Sequence, residues 1–346
     1  MKTHMKATMG KMAALGILAL GTTMGHAQLV TVPTVLVGNP GNFSANATNA
    51  SSWGDNYGYG AVGQEYRIGT YEVTNSEYVT FLNAVDPDGT NTRSLYSANM
   101  NSNARGGIAF NSGAAAGSKY AVKTNMGNKP VNYVSWFDAA RFSNWLQNGA
   151  TAVASTETGA YTLNGATTGI IYKNVGAQWW IPSEDEWVKS ASYDPDTGSY
   201  WLYPTQSNTA PTVATANATG DILNPGANVA NYNSGADWNS KNGNVTTVGS
   251  AGSLSDSFYG TYDQGGNVWE WNDAVFFSSD RGLRGGSWDV FDIGLQSSNR
   301  NNYGDPAFEN VDVGFRVASV PEPSTAGLVL LVGAGWLLWR RRKVTL

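Results

Sequence analysis

From residue 28 to the C-terminus the chain contains neither cysteine nor histidine; it has no cysteine anywhere, and its two histidines are His4 and His26. Whatever this sequence folds into must therefore be held without a disulfide or a Cys/His metal staple, by packing, hydrogen bonds and ion pairs alone. The same absence removes a thiol nucleophile, an imidazole base and any soft-metal site. Chemistry, or a bound ion, falls to carboxylates, hydroxyls, amides and Arg/Lys.

Both ends read as addresses. Lys2, Lys6 and Lys11 precede the apolar run 12–20, and Gly25-His26-Ala27 supplies the small residues of a cleavage site, so residues 1–27 are expected to be a secretory signal peptide. At the other end, Pro321, Glu322 and Pro323 break the chain, 325–339 is almost wholly apolar, and Arg340-Arg341-Arg342-Lys343 follows. This run is shorter than the roughly 20 residues that cross a bilayer at ease, and its basic end favours the cytoplasmic side. The order of Pro-Glu-Pro, apolar helix and basic tail resembles the PEP-CTERM sorting signal. That resemblance covers 320–346 and implies a transient transmembrane anchor, an exosortase-type processing partner, and delivery to the cell surface or extracellular matrix.

Residues 28–319 are then the folded domain. The whole chain carries 21 Lys+Arg against 26 Asp+Glu. Without the three lysines of the signal peptide and the four basic residues and Glu322 of the tail, 14 basic residues face 25 acidic ones, a charge of about −11. An acidic surface of that size excludes nucleic acid, which demands a Lys/Arg footprint, and leaves extracellular polysaccharide as a partner class. Polar stretches near 40–55, 97–128, 148–178 and 205–250 are expected to be long loops on one domain.

Three helices are announced by their caps. Thr74-Asn75-Ser76-Glu77, Ser135-Trp136-Phe137-Asp138 and Ser183-Glu184-Asp185-Glu186 each place a hydroxyl before a run of apolar residues and an acidic group on the first turn, where both meet free backbone N–H groups. Strands are predicted at 66–71, 156–163 and 314–318, which gives an α+β domain with little regular structure.

Six blocks recur in order: Tyr66 to Asn75, Pro130 to Ala139, Ile181 to Trp187, Tyr262 to Trp271, Leu283 to Trp288 and Gly314 to Val317. Together they resemble the formylglycine-generating enzyme (sulfatase-modifying factor) family from about residue 30 to 319. The resemblance implies a compact C-type-lectin-like fold. It implies, too, an oxidase whose copper is held by two cysteines after the Gly-Gly-Ser-aromatic block, but Asp289 to Arg300, the matching stretch, has none. The related iron-dependent sulfoxide synthases need histidine ligands, which are also missing. No copper is therefore expected, and no catalytic residue is assigned.

Asp263 and Glu270 stand seven residues apart on a glycine-rich turn, a spacing at which two carboxylates and turn carbonyls can face one Ca²⁺, which takes 6–8 oxygens. The family resemblance implies a structural calcium site at Asp263, the carbonyls of Gly266 and Val268, and Glu270. The competing reading pairs Glu270 with Arg284 or Arg316. A second calcium position is implied near Asn231 and Tyr232. Asp289, Asp292, Arg300 and Asn301 fall where the family keeps its cleft and are the candidate ligand-binding residues. Trp136, Trp145, Trp187, Trp269, Trp271 and Trp288 are expected in the core; Trp53, Trp201 and Trp238, in loop-like segments, are candidates for an exposed groove. Two functions remain in competition: a non-catalytic extracellular binding protein, and an enzyme with the family oxidase or a carboxylate-based activity.

Overall fold

The computed structural model describes residues 28–321, Ser278 excepted. The expected signal peptide, Glu322, Pro323 and the apolar tail with its basic cluster lie outside the described residues. No helix among those described is long and apolar enough to cross a membrane.

Among the described residues there are five α-helices: α1 (Asn75–Val85), α2 (Asn99–Ser102), α3 (Trp136–Gln147), α4 (Glu184–Ser192) and α5 (Asp292–Leu295). The three long ones begin where the sequence says. Thr74, Ser135 and Ser183 each accept from the N–H three residues on, and Glu77, Asp138 and Glu186 return the bond to the cap N–H. Such a reciprocal cap contributes about 1 kcal/mol by satisfying donors that no helical carbonyl can reach.

The strands are short. β1 (Thr34–Val37), β2 (Tyr66–Gly69), β3 (Ile108–Phe110), β4 (Tyr120–Val122) and β5 (Trp179–Trp180) precede α4. After it come β6 (Tyr193–Asp194), β7 (Ser199–Tyr200), β8 (Thr212–Val213) and β9 (Val229–Ala230). The C-terminal third adds β10 (Trp269–Phe276), β11 (Asp280–Arg284), β12 (Asn301–Gly304), β13 (Val313–Gly314) and β14 (Ala318–Ser319). One sheet runs β1-β2-β14-β5 and ties the two ends of the domain together, with Ala318 opposite both Ile68 and Trp180. The other runs β12-β11-β10-β13 and carries the glycine-rich turn at its entrance, with Glu270 opposite Arg284 and Gly314.

An aromatic cluster joins α1 to α3. Phe81 lies 5.3 Å from Tyr78, Phe142 and Trp145, and Phe142 lies 5.5 Å edge-on from Phe315. Such contacts add to the area term that dominates a core. The six tryptophans assigned to the core are buried.

Three expectations need correction. Residues 156–163 are not a strand: apart from an isolated bridge at Tyr161 they are loop. Their backbone groups bond instead to α3, where Asn144 takes the Tyr161 N–H on Oδ1 and donates to the carbonyls of Thr156 and Tyr161. The predicted strand 314–318 is two pieces, β13 and β14, each serving a different sheet. Trp53 and Trp238 are buried rather than exposed. Trp53 packs edge-on against Tyr200 and donates to the Trp201 carbonyl, while Trp238 donates to the Val245 carbonyl beneath Lys129. Only Trp201 of the three keeps partial exposure.

Candidate functional site

The glycine-rich turn reverses the chain through a run of left-handed backbone: Asp263 (φ 59°), Gly266 (φ 92°) and Asn267 (φ 59°). Gly266 is required by more than its φ, because a Cβ there would lie 2.2 Å from the Asn231 carbonyl oxygen. The close approach is used: the Asn267 N–H donates to that carbonyl and the Gly266 N–H to Gly285, both at 2.9 Å. Val268 then drops into an apolar cluster with Met126, Trp238, Val245 and Trp288.

Of the two arginines open to Glu270 from the sequence, Arg316 takes it. Arg316 Nε donates to Oε2 and Nη2 to Oε1, both at 2.6 Å, and Trp187 Nε1 adds a third bond to Oε2 at 2.8 Å. Both side chains of the pair are fully buried. Arg284, though opposite Glu270 in register, turns to Glu184 on α4.

Asp263 accepts from the Gly249 N–H at 2.6 Å, and burial pushes its carboxyl up to about 6. A third carboxylate joins the cluster that the sequence reading did not single out. Glu72 is buried; its Oε1 accepts from Asn267 Nδ2 at 3.1 Å, and its Oε2 has no partner. Burial, and then the charge of Asp263, push the Glu72 carboxyl well above the usual range. Glu72 lies beyond the end of β2, past a bend at 70–71, so no strand periodicity announces its burial. Asn231, proposed near a second calcium, donates through Nδ2 to Asn267 Oδ1 and leaves its own buried Oδ1 unpartnered. Among the described residues, no three carboxylates gather closely enough to form a metal ligand set by themselves. Backbone or amide oxygens would have to complete one.

Of the four candidate cleft residues, Asp289, Asp292 and Arg300 bond to separate partners. Asp289 accepts from Ser234 Oγ at 3.1 Å, and Asp292, opening α5, from the Tyr203 hydroxyl at 3.3 Å. Arg300 grips Glu184 with two 2.8 Å bonds and lies 3.8 Å over Phe276 and 4.8 Å over Tyr59. Asn301 opens β12 opposite Leu283. Glu184 thus sits between two guanidinium groups, Arg284 and Arg300. Both arginines thus share one carboxylate, while Asp289 and Asp292 accept from hydroxyls.

The fold and sequence have counterparts. A family model described as the sulfatase-modifying factor enzyme 1-like domain matches residues 21–320. Hercynine oxygenase of Mycobacterium tuberculosis is 27% identical over 277 residues, covering 73% of this chain and 52% of that protein. Hercynine oxygenase of Mycolicibacterium thermoresistibile is 27% identical over 294 residues, with 75% and 52% covered. The chain spans about half the length of the curated relatives it matches. Among solved structures, that of CarF superposes with a TM-score of 0.51 at 19% identity, over 84% of this chain and 99% of that one, a likeness of fold. The match of the family model across nearly the whole described domain, with its motif blocks in order, makes this chain a member of the sulfatase-modifying factor enzyme 1-like family.

Proposed function

We propose that the chain is an exported, non-catalytic binding protein of the bacterial surface or exopolysaccharide matrix, built on this family's fold. One observation carries the reading: from residue 28 onward there is no cysteine or histidine to hold copper or a redox iron. The carboxylates and amides that remain suit hard cations, which do no redox chemistry. The cleft supports the same reading, since Arg284 and Arg300 are both committed to Glu184. A structural Ca²⁺ at the Asp263 to Glu270 turn belongs to this proposal, as a replacement for the disulfides the chain lacks. Both Glu270 oxygens are bonded to Arg316 and Trp187, so an ion there would compete with that pair.

A second reading keeps an enzyme. The curated relatives bear the name of an oxygenase, and a divergent activity outside the cytoplasm would be the consequence for this chain.

The binding reading is tested on the exported protein itself. Its intact mass should show loss of residues up to about Ala27 and cleavage near Pro321 to Pro323. The same preparation, applied to a glycan array with and without calcium, should be retained on a polysaccharide. A C-terminus still ending in Leu346, with no glycan retained in either condition, would contradict both export processing and binding.

A further inference from the structure

Three asparagines precede a glycine: Asn148, Asn164 and Asn242. Each such step carries a latent reaction. The side-chain amide carbon lies within reach of the next backbone nitrogen, and glycine has no Cβ to obstruct the approach. The fold treats the three differently. Asn148 is the C-cap of α3, and its Nδ2 donates to the carbonyls of Ser155 at 2.9 Å and Thr158 at 2.7 Å. The Asn242 amide faces the Asp237 carboxylate at 3.0 and 3.2 Å, and Gly243 behind it is buried. Asn164 and Gly165 are both exposed, and among the described residues the Asn164 side-chain amide has no partner.

Asn164 and Gly165 form the corners of a tight turn. Both take the left-handed backbone, with φ 50° and 86°, and the Ala166 N–H donates back to the Leu163 carbonyl at 2.9 Å. Asn-Gly is the pair that such a turn favours. Space beyond the glycine is open, since a Cβ on Gly165 would meet nothing within 4 Å. Behind the turn stands an ion-pair cluster. Glu157 accepts from the Gly165 N–H at 2.6 Å and pairs with Arg141 at 2.8 Å and Arg93 at 2.6 Å. Arg141 Nη2 in turn reaches the Ala166 carbonyl at 2.9 Å. Glu157 and Arg93 also wall a pocket of about 310 Å³, so the turn supports a surface recess as well as itself.

We propose that Asn164 is a self-modification site of the folded protein, deamidating through a succinimide to isoaspartate and releasing the Glu157 cluster from the turn. The Gly165 nitrogen leaves Glu157, loses its proton to solvent and bonds to Asn164 Cγ. The Cγ–Nδ2 bond breaks, and the nitrogen departs as ammonia after taking up a proton. Water then opens the five-membered ring at either carbonyl, giving aspartate or isoaspartate. Isoaspartate runs the main chain through its own Cβ and Cγ, one carbon longer. The turn bond from Ala166 to Leu163 and the contact of Gly165 with Glu157 cannot both survive that lengthening.

Ageing the purified full chain in mildly alkaline buffer, with peptide mass spectrometry and enzymatic methylation of isoaspartate, reads each step separately. Asn164 should convert at least tenfold faster than Asn148 and Asn242, whose reacting groups must first be freed by local opening. In denaturant the three rates should converge, because the preference belongs to the fold. Gly165→Ala should slow the Asn164 reaction at least tenfold, and Asn164→Gln should remove it. The aged isoaspartate form, separated by ion exchange, should melt below fresh protein, whereas Asn164→Asp, which adds the charge without the extra backbone atom, should melt close to it. Asn148 or Asn242 converting as fast as Asn164 in the folded protein would overturn the assignment, and so would an Asn164 that stays intact until the chain unfolds. An isoaspartate form that melts with fresh protein would overturn the release of the Glu157 cluster. If Gly165→Ala fails to fold, the three wild-type rates still decide.

Discussion

Replacing Arg316 with methionine should lower the melting temperature of the domain by about 10 °C or more. The substitution removes the guanidinium from a pair with no solvent contact and leaves Glu270 with only the Trp187 bond, beside Glu72 and Asp263. Breaking a buried pair from one side costs about 3–5 kcal/mol, because the surviving charge stays desolvated. In a domain of this size each kcal/mol moves the midpoint by roughly 2–4 °C. The companion double variant, Glu270→Met with Arg316→Met, should recover part of the loss, since no charge of the pair is then stranded. Thermal unfolding followed by circular dichroism measures all three proteins. A single variant melting with the wild type would mean that the pair is not what holds β10 to the segment after β13.

Gly266→Ala should be nearly as damaging for a different reason. At φ 92° an L side chain is strained, and its Cβ would meet the Asn231 carbonyl oxygen at 2.2 Å and carbon at 3.0 Å. Neither is the end of a flexible side chain. Backbone must move, and the Asn267 to Asn231 bond moves with it. Strain of about 1–3 kcal/mol and overpacking of about 1–3 kcal/mol sum to about 4 kcal/mol. Gly165→Ala is the control: its φ is 86°, but nothing lies within 4 Å of the added carbon. Denaturant unfolding should separate the two by the contact alone. Equal losses would show that backbone conformation, not the approach to Asn231, fixes the turn.

What the sequence made legible was local. Thr74, Ser135 and Ser183 announced three helices because a cap and its acidic partner lie three residues apart. The tryptophans of the motif blocks, expected in the core because they sit within those blocks, are buried. Two of the departures are cases in which a group outside the segment supplies what a neighbour usually does. Residues 156–163 resemble a strand, yet their hydrogen bonds come from Asn144 on α3. Trp53 sits in a polar loop, but its ring is claimed by Tyr200, far along the chain. The site divides the same way. The turn bearing Asp263 and Glu270 could be read directly, whereas the choice between Arg284 and Arg316 could not. It depends on α4 bringing Glu184 to Arg284. Glu72 joins the cluster through Asn267, 195 residues away in sequence, so only the fold could reveal it.

The proposed function requires that this member of the family has kept the fold without the family's oxidation of cysteine. The direct measurement is to incubate the purified protein with a cysteine-containing sulfatase-type peptide, copper, oxygen and a thiol reductant, and to read the peptide mass. Peptide cysteine is expected unchanged from the no-protein control, since no cysteine, and no histidine beyond residue 26, is present to hold the metal. Formylglycine accumulating above that control would contradict it, and would direct attention to Asp289 and Asp292 as oxygen ligands to a copper carried by the substrate thiol.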